Sequence, residues 1–175
     1  MIKEKLIAAI RDVPDFPKPG IVFKDITPIL QDAELCTLIV DEFVARLQNV
    51  PIDVVAGIES RGFLFGLMLA NKLGVPFIPI RKQGKLPFLK IQQPCELEYG
   101  SAVLELHTDS IKPGQRVLIH DDLLATGGTV SAATRLIKEL NGKIAGYAFV
   151  ISLDFLNGKK NLAANSDRIV SLVSY

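Results

Sequence analysis

Several features that specify other classes of protein are missing from this sequence. It has two cysteines in 175 residues, and their positions suggest neither a zinc site nor a disulfide framework. No apolar run is long enough to span a bilayer, and the stretch MIKEKLIAAIRDVPDF carries charges among its apolar positions, unlike a secretory signal. We therefore expect a cytoplasmic protein with reduced thiols and no membrane partner.

The sequence also has no excess of charge of either sign. Its 20 Lys and Arg residues nearly balance its 19 Asp and Glu residues, so the formal net charge is +1. This balance gives no reason to expect a nucleic-acid partner. The composition, 49% hydrophobic and 22% charged, is typical of a globular protein with a substantial core, and we expect a single domain over residues 1–175.

Short apolar runs alternate with amphipathic stretches along most of the chain. The patterns predict strands at 53–58, 75–80, 116–121 and 143–152, and helices at 3–11, 33–48, 62–73 and about 128–140. Asp32 is a candidate N-cap, and Gly74 and Gly142 are candidate helix ends. Two prolines place the strand at 75–80 near a sheet edge or a strand end. The alternation predicts an α/β fold with a central, mostly parallel sheet flanked by helices.

The string DDLLATGGT, residues 121–129, follows a predicted strand and has the chemistry of a phosphate site. Its glycines let backbone N–H groups approach an anion, Thr126 and Thr129 add hydroxyl groups, and the next helix adds the positive end of its dipole. Asp121 and Asp122 would accept hydrogen bonds from a sugar diol, and a nearby Mg²⁺ would relieve their repulsion. A pair of aspartates alone would more simply cap a helix, but the whole string predicts a site for ribose 5-phosphate.

This string resembles the signature of the type I phosphoribosyltransferases, which use 5-phosphoribosyl 1-diphosphate (PRPP). Four more segments resemble the adenine phosphoribosyltransferases of that family in order and spacing: DFPKPGIVFKDITPIL (15–30), AGIESRGFLFG (56–66), IRKQGKLPF (80–88) and LEYGSAVLEL (97–106). The resemblance implies the type I phosphoribosyltransferase fold with a flexible hood loop. The hood and base-recognition segments would lie at about 14–30 and 81–106.

The same resemblance implies a reaction and its partners. Adenine and PRPP would give AMP and diphosphate in purine salvage, catalysed by a homodimer with Mg²⁺ as cofactor. The metal would be bound mainly through PRPP, with Asp121 or Asp122 contacting it through water. The residues that the resemblance places on PRPP are Ser60, Arg61, Gly62, Arg81, Lys82, Lys85, Asp121, Asp122, Ala125, Thr126, Gly127, Gly128 and Thr129.

These PRPP residues divide by role. Residues 125–129 resemble the loop for the 5-phosphate, and Ser60 to Gly62 resemble the loop for the diphosphate, where Arg61 offers a fork of donors. The resemblance also implies a cis peptide bond between Glu59 and Ser60. Arg81, Lys82 and Lys85 would belong to the hood, with Arg81 in its own or the neighbouring subunit's site; read alone, this basic stretch is more simply a solvated loop.

On the purine side, the resemblance makes Glu98 the candidate general acid for N7, alongside Asp121, Asp122 and Arg61 as catalytic residues. Tyr99 would help to order the same loop. The residues implied in adenine binding are Val22, Phe23, Lys24 and Leu156, although Phe23 and Leu156 would fit equally well in a plain core. Lys24 and Gln83 depart from the family pattern, which commonly has arginine at the first position and a basic residue at the second.

Two other functions are compatible with parts of the pattern. One is a phosphoribosyltransferase for another 6-substituted purine. The other is a non-catalytic regulator that senses PRPP, since such a protein can keep the phosphate loop without turnover. A regulator would be expected to carry a nucleic-acid surface or an additional domain, and it would not need both the basic hood and Glu98. His107 and His120 have no neighbours in sequence that indicate catalysis or metal binding, and we expect both to be structural.

Overall fold

A computed structural model describes residues 1–97 and 100–175 of the chain. The helices are α1 (Ile2–Ala9), α2 (Ala33–Arg46), α3 (Gly62–Leu73), α4 (Gly128–Glu139) and α5 (Gly158–Ala163). The strands are β1 (Arg11–Pro14), β2 (Val22–Asp25), β3 (Val54–Ile58), β4 (Phe77–Lys82), β5 (Lys90–Leu97), β6 (Gly100–His107), β7 (Arg116–Leu124), β8 (Lys143–Ser152) and β9 (Ile169–Ser174). Turns of 3-10 helix cover Thr27–Gln31 and Asp154–Leu156.

Within the described residues, seven strands form the main sheet in the order β5-β6-β4-β3-β7-β8-β9. The strands from β4 to β9 in this order run parallel, and the antiparallel β5–β6 hairpin extends the sheet beyond β4. Strands β1 and β2 form a separate antiparallel hairpin. The predicted α/β fold with a mostly parallel sheet and flanking helices is confirmed.

Two apolar cores lie on opposite faces of the sheet and explain its buried strands. One contains Leu6, Phe43 and Phe65 from α1, α2 and α3, and the other contains Leu136 from α4 and Leu162 from α5. Every residue of β3 is buried, because this strand is covered on both faces. A continuous apolar run in the sequence is the expected signature of such a strand.

The helix ends follow the signals in the sequence. The Asp32 carboxylate accepts a hydrogen bond from the Leu35 N–H at 2.9 Å, which caps α2 as predicted. Gly74 ends α3 in the left-handed conformation, with φ of 68°. No helix among the described residues is sufficiently long and apolar to cross a membrane.

Several predicted boundaries need correction. Strand β4 lies inside the sheet, between β3 and β6, so of the two positions predicted for its prolines only the strand end applies, and only to Pro76. Its prolines are tolerated because Pro76 precedes the strand and the pairing with β6 begins at Arg81, beyond Pro79. Strand β7 continues beyond its predicted end at Asp121 to Leu124, so Asp122 also lies in the strand rather than in the loop that follows it. Much of the hood, residues 81–106, is the β5–β6 hairpin rather than a loop.

Candidate active site

The turn between β7 and α4 has the geometry expected of a phosphate site. β7 ends at Leu124 and α4 begins at Gly128, so residues 125–129, here called the phosphate turn, lead directly into a helix N-terminus. Gly127 has a φ of 85°, a conformation that a residue with a side chain rarely adopts. The Asn161 amide of α5 donates a hydrogen bond to the Thr126 carbonyl at 2.8 Å and so braces the turn.

A cavity of about 300 Å³ opens beside the phosphate turn. The predicted PRPP residues that line it are Ser60, Arg61, Lys82, Asp121, Asp122, Ala125, Thr126, Gly127, Gly128 and Thr129. The other described lining residues, for which no PRPP contact was predicted, are Glu59, Cys95, Glu96, Leu97, Ala102, Leu104, Leu123, Leu124 and Val130. The fold therefore brings four separate sequence segments to one concave site near the carboxyl ends of parallel strands.

The two neighbouring aspartates are in different electrostatic environments. Asp122 is buried, and its carboxylate accepts a hydrogen bond from the Arg61 Nε at 2.5 Å. Asp121 Oδ1 accepts the Asp122 N–H at 2.9 Å. Burial, followed by the charge of Asp122, raises the pKa of Asp121 well above its usual value. The repulsion in the pair is thus reduced by a guanidinium on one carboxylate and by a bias toward protonation on the other.

The loop of residues 59–62, here called the diphosphate loop, approaches the end of β7 very closely. A Cβ on Gly62 would lie 2.9 Å from the His120 carbonyl oxygen and 3.1 Å from Asp121 Oδ1, so a side chain would not fit without movement. Gly62 itself is buried at the start of α3 and does not line the cavity. The peptide bond between Glu59 and Ser60 is cis, as predicted. This close crossing places Arg61 against Asp122.

Glu59 connects the diphosphate loop to the basic residues of the hood. Its carboxylate accepts hydrogen bonds from the Lys82 N–H at 2.8 Å and from the Arg81 Nε at 3.2 Å. Arg81 and Lys82 therefore belong to the end of β4, not to a mobile loop, and Arg81 is paired within its own chain. Lys85 is exposed, and neither it nor Arg81 is among the described residues that line the cavity.

The hood packs against α4, so that it closes over the phosphate turn. The Arg135 guanidinium of α4 donates to the Pro94 carbonyl at 2.6 Å and to the Gln93 side chain at 3.1 Å. The Glu96 carbonyl oxygen occupies the space where a Cβ on Gly128 would project. Glu98 and Tyr99 lie outside the described residues, so the predicted roles of both stay predictions.

The segments expected to bind adenine lie around Arg61 and Tyr175. The Phe23 ring centroid is 5.4 Å from the Arg61 guanidinium carbon. The Lys24 Nζ donates to Asp12 at 2.6 Å and lies 3.9 Å from the centroid of the Tyr175 ring. Val22 is exposed, and Leu156 ends a 3-10 turn in a half-buried position. The described lining of the cavity includes none of the four predicted adenine residues.

Known proteins resemble this chain over its whole length. A family model described as the phosphoribosyl transferase domain matches residues 30–171. The adenine phosphoribosyltransferase of Cytophaga hutchinsonii is 50% identical over 175 residues, covering 100% of this chain and 97% of that protein. The chain belongs to the adenine phosphoribosyltransferases.

Solved structures of this family have the same fold. The adenine phosphoribosyltransferase of Thermoanaerobacter pseudethanolicus superposes with a TM-score of 0.95 at 45% identity, covering 100% of both chains. The Saccharomyces cerevisiae enzyme, crystallised with adenine and an imino-altritol bisphosphate, gives a TM-score of 0.91 at 40% identity, covering 98% of each chain. The type I phosphoribosyltransferase fold predicted from the sequence is therefore confirmed.

Beneath the acidic pair, His120 is a core residue. It is fully buried, and its ring packs edge-on against Phe43 with centroids 5.5 Å apart. Burial lowers the pKa of His120 to about 4, so the ring is neutral near pH 7. This placement agrees with the structural role expected for it.

The acidic pair is a donor set that suits Mg²⁺. Among residues 1–97 and 100–175, no group of three or more His, Cys, Asp or Glu side chains could hold a metal ion. Mg²⁺ in proteins is commonly bound by one or two carboxylates together with substrate phosphates and water. Asp121, half-buried beside the cavity with a raised pKa, is a carboxylate whose ionised form a cation would stabilise.

Proposed function

We propose that this chain transfers the 5-phosphoribosyl group of PRPP to adenine, giving AMP and diphosphate, and so salvages purine. The observation that carries the proposal is that the phosphate turn, the acidic pair and Arg61 line one cavity. The full-length relatives named adenine phosphoribosyltransferase support it. They do not favour a regulator that only senses PRPP or an enzyme for another purine.

This geometry supports a specific set of PRPP contacts. The 5-phosphate lies at the phosphate turn, where N–H groups at the start of α4 and the hydroxyls of Thr126 and Thr129 donate to it. The ribose hydroxyls donate to Asp121 and Asp122. The diphosphate lies toward Ser60, Arg61 and Lys82, whose side chains border the same cavity.

The reaction breaks the bond between C1′ of the ribose and the diphosphate oxygen and forms a bond from C1′ to adenine N9. Positive charge develops on the ribose ring and negative charge on the leaving diphosphate. Arg61 and Lys82 stabilise the leaving charge, while the acidic pair holds the ring in place. Asp121 or Asp122 would contact a PRPP-bound Mg²⁺ through water, and the ion would supply further neutralisation of the diphosphate.

Adenine is bound between the β1–β2 hairpin and the turn that contains Leu156. The Lys24 ammonium is engaged by Asp12 and Tyr175, which favours recognition of the base edge by backbone groups of Val22 to Lys24 rather than by this side chain. Lysine in place of the more usual arginine then changes little. As N9 bonds to C1′, adenine must lose the proton on N7; Glu98 accepts it, and returns it as a general acid in the reverse reaction, so Glu98→Gln should lower kcat by about 10²–10⁴-fold.

The direct test is product formation from adenine, hypoxanthine and guanine at equal PRPP and Mg²⁺ concentrations. A backbone acceptor that pairs with the 6-amino group would face the 6-oxo group of the other bases unpaired. We expect a preference for adenine of about 10⁴-fold in kcat/KM. Equal rates of IMP or GMP formation would contradict the assignment, as would binding of PRPP without any AMP formation.

A homodimer and a cytoplasmic location complete the proposal. Helix α3 exposes Leu64, Leu67 and Met68, an apolar surface that suits a second copy of the chain. Cys36 and Cys95 are buried free thiols, which fits a reducing compartment.

The homodimer is tested by light scattering during size-exclusion chromatography, which should give twice the mass of one chain. If Arg81 also acts across the interface, mixing Arg81→Ala chains with Asp122→Asn chains should restore activity.

A further inference from the structure

Tyr175 contacts both segments that the proposed function places around the purine. Its backbone N–H donates to the Ser152 carbonyl, and its carbonyl accepts the Asp154 N–H, each at 2.9 Å. The first bond continues the pairing of β9 with β8, and the second ties the end of β9 to the purine turn, defined here as Asp154–Leu156. The Tyr175 ring lies under the Lys24 ammonium, with 3.9 Å between Nζ and the ring centroid.

The contact with Lys24 links the β1–β2 hairpin to the main sheet. Asp12 and Lys24 are cross-strand partners within the hairpin, so their 2.6 Å ion pair stays inside it. The cation–π contact with Tyr175 leaves the hairpin and reaches β9. The Lys24 side chain is only 13% exposed, and the attraction between a cation and an aromatic ring is stronger when the cation is shielded from water.

The purine turn is itself fastened to the same part of the sheet. The Asp154 carboxylate accepts hydrogen bonds from the Ser152 hydroxyl at 2.5 Å and from the Lys159 ammonium at 2.8 Å. Leu156, at the end of this turn, is thereby fixed relative to Tyr175. Tyr175 thus anchors the purine turn through its backbone and the β1–β2 hairpin through its ring.

We propose that Tyr175 is a positioning residue for adenine, which sets the spacing between the Val22–Lys24 segment and the purine turn. The inference rests on the proposed adenine-binding roles of those two segments. Tyr175 is not among the described residues that line the PRPP cavity, and the phosphate turn is held separately by Asn161. Loss of the ring therefore weakens adenine binding and leaves PRPP binding intact.

The test compares Tyr175→Leu with Tyr175→Phe in steady-state kinetics with both substrates varied. The Leu variant keeps an apolar side chain but loses the ring face. Its adenine KM should rise about tenfold, equivalent to about 1.4 kcal/mol, while its kcat and PRPP KM stay within about twofold. The Phe variant keeps the ring and should match the unaltered chain. Calorimetric titration with adenine in the presence of diphosphate should show the same difference.

Three results would overturn the proposal. They are an adenine KM within about twofold of the unaltered chain in a folded Leu variant, a parallel rise of both KM values, and an equal defect in the Phe variant. If the Leu variant does not fold, Lys24→Met removes the ammonium from the ring without changing β9, and an unchanged adenine KM in it overturns the proposal as well. Failure of the unaltered chain to form AMP would instead refute the proposed function.

Discussion

The phosphate side and the purine side of this site are built in different ways. Residues 121–129 are contiguous and form the end of β7 and the turn after it, and β7 has parallel neighbours on both sides in the sheet. The purine side combines the β1–β2 hairpin, the hood and the purine turn, which are far apart in the sequence. The first region takes its geometry from the core, whereas the second depends on side-chain contacts between separate segments.

Arg61 is where the two regions meet. Its Nε pairs with Asp122 on the phosphate side, and its guanidinium lies over the Phe23 ring of the hairpin. A substitution on the phosphate side should therefore cause a large fall in kcat/KM for PRPP specifically. Changes in the peripheral segments should have smaller effects that divide between the two substrates.

Asp122→Asn should give the largest effect. The change keeps the shape of the side chain but removes the charge that accepts from Arg61 and from the ribose. Two hydrogen bonds to a charged group, at about 1.5 kcal/mol each, amount to a fall of about 10²-fold in kcat/KM for PRPP. The variant should remain folded, as circular dichroism would show.

Asp53→Asn is the matched control for this prediction. Asp53 also pairs with an arginine, Arg116, at 2.7 Å, but it precedes β3 at the opposite end of the strand from the diphosphate loop. Its kinetics should be unchanged. An equal loss of activity in both variants would show that the Asp122 effect reflects general charge rather than a contact with PRPP.

The next largest effect is expected at His120, in the core beneath the acidic pair, and is measured as a change in the free energy of unfolding. His120 has an unperturbed pKa of 6.5 but titrates at about 4 in the folded chain, because burial disfavours its charged form. The unfolded chain binds the proton more readily, so stability is fully present above pH 6.5 and is lost as the pH falls toward 4. The loss attributable to His120 at pH 5 is about 2 kcal/mol.

Urea unfolding at pH 7.5 and pH 5 checks this prediction in the unaltered chain and in His120→Leu. Other titrating groups, including Asp121, contribute to both chains, so the informative quantity is the difference between their pH dependences. The Leu variant should lose less free energy of unfolding on acidification. Parallel losses in the two chains would show that His120 does not couple stability to pH.

The contrast between the two regions also explains what could be predicted from the sequence. Strand β8 and helix α3 have the predicted bounds, 143–152 and 62–73, because their apolar periodicity is set by burial along one continuous segment. The phosphate turn was predictable for the same reason, since glycine, threonine and the acidic pair stand together in the chain. Local patterns are reliable where one segment makes the whole feature.

Features made by partners distant in sequence were missed. The β1–β2 hairpin, α5 and β9 are short, and their pairing or packing depends on elements elsewhere in the chain. Glu59 is recognisable only when the Lys82 N–H and the Arg81 side chain are seen to converge on it. Lys24 as an adenine residue was predicted, but its engagement with Tyr175 was not, because 151 positions along the chain separate the two.

A smaller effect is expected in the hood, from Glu105→Gln. Glu105 is fully buried on β6, where its carboxylate accepts from the Gln92 amide at 2.7 Å and lies 3.4 Å from the Lys90 ammonium and from the Leu86 nitrogen. It thereby holds the segment that follows Lys82. Losing one such charged contact should raise the PRPP KM about tenfold through displacement of the basic residues.

Glu139→Gln is the control for the hood. The Glu139 carboxylate also accepts from a hood amide, that of Gln93 at 2.8 Å, but in an exposed position on α4. Its PRPP KM should not change. A folded Glu105→Gln chain with an unchanged PRPP KM would mean that the hood keeps its geometry through its strand pairing alone.

The smallest effect should come from Leu156→Ala on the purine turn. Because the Leu156 side chain is half-buried, we expect the change to remove apolar contact with the purine equivalent to about one buried methylene, or about 0.8 kcal/mol. The adenine KM should therefore rise about threefold to fivefold. The effect is small because the backbone groups of the hairpin still pair with the base edge. Phe155→Ala is the comparison, since the Phe155 ring is 68% exposed one residue earlier, and we expect it to leave both KM values unchanged. If Phe155→Ala raises the adenine KM and Leu156→Ala does not, the turn presents its other face to the purine. The apolar contact on this side of the pocket is then made by Phe155 instead of Leu156.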